Sequence, residues 1–184
     1  MRLARLTARL RRPLRRFVRD KRGVSAVEFA MLLPLMITLY LGGVEVSSAI
    51  AVDRKVTQVA RTLGDLVAQS TSLNAADMTN ILNAASSVVQ PYSSSLIKVT
   101  VSRVDVDANS VAKVIWSKTQ NGTLKSGTVT LPAALNAKNT SLIWAESQYT
   151  YTPAIGYVIT GPITLKDQIY MRPRLSDTVA CNAC

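Results

Sequence analysis

From Phe29 to Val44 the chain carries no charged residue, and the apolar run that holds this stretch begins at Val24 and stops at Glu45. Positions 24–44 make 21 residues, interrupted only by Glu28 near the start. About 20 apolar residues cross the hydrocarbon core of a bilayer as a helix. The pattern therefore predicts one transmembrane helix over residues 24–50. Within it, Pro34 removes one intrahelical donor and is expected to kink the span, while Gly42 and Gly43 permit close approach of another helix. Both are also ordinary membrane-helix composition.

Beyond Glu45 the pattern changes without a breaker. Ala49, Val52, Val56, Val59, Leu63 and Leu66 recur at steps of three and four, with Asp53, Arg54, Lys55 and Arg61 off that stripe. An amphipathic continuation over 51–72 follows, and one helix from residue 24 to 68 would be about 65–70 Å long at 1.5 Å per residue. The outer stripe reads as the core of a covering domain, with packing on other subunits as the alternative.

Residues 73–184 predict that domain, α+β in class. Residues 70–74 read as a turn. A second helix follows over 74–90, with Asn74 as its cap and Met78, Ile81, Leu82, Ala85, Val88 and Val89 as its apolar face. Then come strands. In LIKVTVSRVDV the apolar parity switches from Ile97, Val99 and Val101 to Val104 and Val106, which predicts a bulge near Ser102 and Arg103. VAKVIWSK and LKSGTVTL flank an Asn121-Gly122 turn and read as a hairpin. SLIWAESQYTYT and ITLKDQIYM close an antiparallel sheet, the latter with Ile163, Leu165, Ile169 and Met171 on a face that Asp167 interrupts.

The formal net charge of +11 is concentrated at one end. Ten of the 22 basic residues lie within positions 1–22, opposed only by Asp20, so the other 162 residues sum to about +2. Residues 1–23 form a basic leader that either lies on an anionic membrane surface through Leu3, Leu6, Leu10, Leu14 and Phe17 or is a solvated arm that sets topology. In both cases basic flanks stay cytoplasmic and the later domain lies outside. The later chain has no basic stripe, so nucleic acid is excluded as a partner.

The sequence has no histidine and only three glutamates. The commonest general base and metal ligand is absent. Glu146 lies on an expected strand without a convincing partner, and Asp105 and Asp107 read as solvated turn acids rather than a calcium loop. No catalytic residue, metal site or cofactor is expected.

Three explanations compete for the N-terminus. A secretory signal peptide would use residues 29–44 and be cut near Ala51, within Ala49-Ile50-Ala51, releasing a periplasmic protein, with an enzyme among the options. A mitochondrial presequence would explain the arginines but neither Gly23 nor Glu28. The third explains both. Gly23 followed by Val24-Ser25-Ala26-Val27-Glu28-Phe29 resembles the processing site of type IV prepilins, where a membrane peptidase cuts after Gly and leaves Glu at mature position five.

The longer string RGVSAVEFAMLLPLMITLYLGGVEV resembles the start of the TadE-like family, minor pilins or pseudopilins of tight-adherence (Tad, Flp-type IVb) pilus systems. The pattern carried here is Glu28-Phe29-Ala30, Pro34 and Glu45, over roughly residues 20–50. The related TadG-like proteins have a long extra domain for which 184 residues leave no room. The resemblance implies a single-pass protein of the bacterial cytoplasmic membrane, with its N-terminus in the cytoplasm and its domain periplasmic. Its implied partners are other pilus subunits, the assembly machinery and a prepilin peptidase, and it implies no enzymatic activity. Gly23 and Val24 are then the processing site, and Glu28, Phe29 and Glu45 the assembly residues. Cleavage would free the Val24 amine, one helical turn from Glu28, so that only a processed subunit could pair the two within a chain or between neighbours; in the alternative Glu28 snorkels to the interface and pairs with Lys21 or Arg22, or is protonated. In an oxidising compartment the terminal pair Cys181 and Cys184 is expected as a disulfide, with free thiols or a metal shared between chains as the alternatives, since one chain cannot supply the four ligands of a zinc site.

Overall fold

The structure, a computed structural model, describes residues 22–156 and 158–182. Most of the basic leader therefore lies outside the described residues. The apolar run and the amphipathic stripe form a single helix, α1 (Arg22–Ala68). It continues through Pro34, whose carbonyl accepts a 2.8 Å hydrogen bond from Thr38 Oγ1. The chain divides into two compact units between Val44 and Glu45.

In the first unit the described residues are the start of α1, and its large apolar side chains, among them Phe29, Met31, Leu35 and Leu39, are exposed. The helix is long and apolar enough to cross a membrane, and none of its most apolar window is buried.

The second unit contains the rest of α1, then β1 (Ser72–Asn74), α2 (Ala75–Ser87), β2 (Ile97–Val106), β3 (Ala112–Gln120), β4 (Thr128–Val129), β5 (Thr140–Tyr151), β6 (Ile163–Met171) and β7 (Ala180–Asn182). Five strands form an antiparallel sheet in the order β4-β3-β2-β5-β6, and β1 pairs with β7 in parallel. The α+β class expected from the sequence is the one observed.

The main core joins the helices to one face of the sheet. Val52, Val56, Val59 and Leu63 from α1 and Met78, Leu82 and Ala85 from α2 pack with Val99, Val101, Ile143, Ala145 and Tyr149. The stripe on α1 ends on Val67 rather than Leu66, which is only half-buried. The reason is Gly64: a Cβ there would meet Met171 Sδ at 3.3 Å and Ala145 Cβ and Ile169 Cγ2 at 3.4 Å. The sheet packs close at that glycine, and Leu63, Gly64 and Val67 form the buried side of the last turns. Helix α2 starts where expected, with Asn74 Oδ1 accepting from Asp77 N (2.9 Å) and Asp77 Oδ2 accepting from Asn74 N (3.3 Å). This reciprocal pair satisfies donors that the first turn leaves open.

The parity switch in β2 has a different cause from the one expected. Strand β2 keeps unbroken register with β5 along its whole length. Val104 and Val106 face a second, smaller core on the opposite side of the sheet, with Ala112, Leu131, Leu142 and Trp144. A register shift does occur between Arg103 and Val104, but against β3: Arg103 faces Trp116 and Val104 faces Val114, leaving Ile115 as the extra residue.

Two other expectations are corrected. The hairpin partner LKSGTVTL shrinks to the two residues of β4. Side chains take the backbone groups just before it, since Ser117 Oγ accepts from Lys125 N (3.1 Å) and Thr100 Oγ1 donates to Thr123 O (3.3 Å). The supposed turn at 70–74 contains β1, because the chain returns there: Arg174 N donates to Ala68 O (2.8 Å) and Ala180 N to Thr71 O (3.1 Å). A three-residue strand is too short to show alternation, so only the returning segment reveals it.

Candidate functional site

Gly23, Val24, Glu28 and Phe29 lie on the first two turns of α1 and are all exposed. A Cβ on Gly23 would meet nothing within 4 Å, and its backbone is helical. Glycine in a helix is less stable than alanine by roughly 0.5–1 kcal/mol, so folding gives no reason for it at this place. Glu28 makes no hydrogen bond or ion pair with any described residue, although its surroundings on α1 are apolar. Val24 and Glu28 are one helical turn apart, where side chains share a face. The helix thus places Gly23, Val24 and Glu28, the first two expected from the sequence as a processing site, on adjacent exposed turns.

Glu45 has a different situation. It is only 2% exposed, and its Oε2 accepts hydrogen bonds from the backbone N–H groups of Val158 (2.8 Å) and Ile159 (3.0 Å). Two successive N–H groups converging on one carboxylate oxygen make a small anion-binding concavity, and bonds to an ionised acceptor are about twice as strong as neutral ones. Glu45 therefore ties the start of the second unit to the segment between β5 and β6. Sequence reasoning missed these partners. They lie more than a hundred residues downstream, in a Gly- and Pro-containing stretch whose role is played by backbone atoms.

Several other acids of the domain are occupied structurally. Glu146, for which the sequence offered no convincing partner, pairs with Lys125 at 3.1 Å, and Lys125 also lies 4.6 Å from the ring centre of Trp144, which stacks on Tyr170. Asp105 is held by Arg103 in a two-pronged pair. Asp107 Oδ1 accepts from the backbone of Asn109 (2.8 Å) and Val111 (2.9 Å), closing the turn between β2 and β3. Among the described residues no group of three metal-ligating side chains occurs.

A cleft of about 560 Å³ on the sheet is lined by Lys98, Thr100, Lys125, Glu146 and Lys166, among others. Two of its hydroxyls are engaged, Thr100 with Thr119 (2.9 Å) and Ser147 with the carbonyl of Val56 (2.8 Å). No nucleophile is paired with a base there. Near the C-terminus, Val179 O accepts from Trp116 Nε1 (2.9 Å) and Arg103 Nη1 (3.4 Å), which fixes the tail across β2 and β3. Cys181 is disulfide-bonded, and Cys184, the partner expected for it, lies outside the described residues.

Comparison with known proteins agrees with the pattern of Glu28, Pro34 and Glu45. Residues 23–64 match the family model described as TadE-like protein. No curated protein and no solved structure matches the chain.

Proposed function

From the TadE-like segment at residues 23–64 we propose that this protein is a membrane-anchored minor pilin or pseudopilin of a Tad, Flp-type pilus. The match associates it with Tad pili in general; the processing step, the partners and the periplasmic placement of the domain are our reading. A prepilin peptidase cuts after Gly23, the helix from Val24 stays in the cytoplasmic membrane, and the subunit joins others through the face that carries Glu28 and Phe29.

The observation that carries this is the pairing of two residues that the fold does not need. Gly23 fills no tight space, and Glu28 is an exposed carboxylate on an apolar helix with no described partner. A carboxylate at mid-bilayer costs about 2.5–3.5 kcal/mol on insertion scales, somewhat less near the interface, so its place in the run calls for a compensating charge. The amine released on Val24, with a reference pKa near 7.7–8.0, supplies one of opposite sign. Within a chain it lies one turn away; between chains it sets the register of an incoming helix.

The test is Glu28→Gln in the full-length chain. Membrane insertion and cleavage after Gly23 are expected to survive, because shape is kept and an amide is easier to place in lipid. Co-purification with other pilus subunits is expected to fall severalfold. Co-assembly of the processed variant at the wild-type level would overturn the pairing role.

A further inference from the structure

The segment between β5 and β6 has no role in the proposed assembly, yet it is built in an unusual way. From Ser147 to Leu165 the sequence contains no charged residue, and Ile155 and Val158 are 49% and 51% exposed. Its backbone is fastened to a buried carboxylate, Glu45, through the N–H groups of Val158 and Ile159. Glu45 directly follows Val44, the last residue of the apolar run. Residues 46–52 are uncharged as well, and Val46 and Ile50 are 46% and 49% exposed, before charge begins at Asp53.

Exposed large apolar side chains in the second unit are thus unevenly spread. Val46, Ile50, Ile155 and Val158 all lie next to Glu45 in the chain or on the segment bonded to it, whereas Leu96, Ile115, Leu124 and Leu175 are scattered elsewhere. Apolar exposure tied to the point where a membrane-length run ends has a simple physical use. We infer that the loop residues 153–156 and 158–162 make a second, interfacial membrane contact, dipping Ile155 and Val158 into the headgroup and acyl boundary of the outer leaflet while Glu45 holds them at that depth. A lipid surface is favoured over a protein partner because the loop is continuous through Glu45 with the point where the spanning run ends. The loop's own backbone N–H groups at Val158 and Ile159 do not enter lipid unpaired, since the carboxylate satisfies them.

The inference rests on membrane anchoring by α1, and the experiment separates the two. Full-length protein carrying Leu35→Cys, Leu124→Cys or Ile155→Cys is labelled without reductant with an environment-sensitive fluorophore. It is then placed in vesicles of phosphatidylethanolamine and phosphatidylglycerol containing nitroxide-bearing lipid. Position 35 is expected to be quenched by the lipid nitroxide, position 124 by aqueous iodide, and position 155 by the lipid at least threefold more than position 124. Glu45→Ala should lower lipid quenching at 155 at least twofold and leave position 35 unchanged, and Glu45→Gln, which keeps an acceptor oxygen, should restore most of it. Quenching at 155 by iodide as strong as at 124 overturns the inference, as does shielding from both quenchers, which would mean a protein contact. Indifference of position 155 to Glu45→Ala overturns the holding role of the carboxylate. Failure of position 35 to be quenched by lipid overturns the anchoring itself, and the loop contact with it.

Discussion

At the scale of single residues, Gly64 is a close contact between α1 and the sheet. A methyl group there meets Met171 Sδ at 3.3 Å and two further carbons at 3.4 Å, so a neighbour must yield slightly. Methionine is the side chain best able to do so. Gly64→Ala is therefore expected to lie within about 1 kcal/mol of wild type, the contact being offset by better helix propensity. Gly64→Val adds branched bulk against Ala145 and Ile169 and should lose about 1–3 kcal/mol, read as a lowered urea midpoint of the full chain in detergent. Tyr149 offers a pH-dependent counterpart. Burial raises its phenol above the ordinary value of 10.0, against a smaller lowering by a hydrogen bond from the Ser93 backbone. Because the folded value is raised, the folded state holds this proton at a pH where the unfolded chain has released it. The contribution to stability is complete below about pH 10 and is lost as pH climbs through the folded value. Tyr149→Phe should make stability fall less steeply as pH rises above about 10, as measured by urea unfolding at each pH.

At the scale of elements, α2 depends on its cap because the chain enters it from β1 in extended conformation. Asn74 supplies both the side-chain acceptor for Asp77 N and the last rung of pairing with β7 through Asn182. Asn74→Ala removes the first and leaves the second, and should cost about 1 kcal/mol. The start of α2 should then exchange its amide hydrogens faster, with the exchange of β2 and β5 little changed. The cap was visible in the sequence, as were the existence of α1, α2 and the longer strands, because each shows its own periodicity. The parallel β1–β7 pair was not, since its register is set by contacts between residues about a hundred positions apart. Nor was the shortness of β4, where hydroxyls of Thr100 and Ser117 take backbone groups that a longer ladder would have used.

For the whole molecule, the proposed processing makes a mass prediction. The mature protein should begin at Val24, and intact-mass measurement of the purified chain checks this. Gly23→Val should leave the leader attached, because the peptidase must reach the backbone beside the scissile bond, while the domain folds normally since the added side chain meets nothing. A mature start near residue 52 would instead mark a secreted protein. Thiol labelling reports on compartment independently: Cys181, bonded in the structure, should label only after reduction in protein isolated from cells.

Taken alone, the sequence determined that a membrane-length helix continues into an amphipathic half, and that an α+β domain follows. Its resemblance to prepilin processing sites also marked Gly23, Val24 and Glu28 as one group, because that pattern lies along a single local segment. The two glutamates that bracket the run look alike in the sequence. Only the tertiary structure separates them, leaving Glu28 exposed without a described partner and burying Glu45 on the N–H groups of Val158 and Ile159. The physical reason is that those donors belong to the backbone of a distant loop. Any residue supplies a backbone N–H, so side-chain identity carries no sign of it, and only the folded path of the chain brings it to the carboxylate.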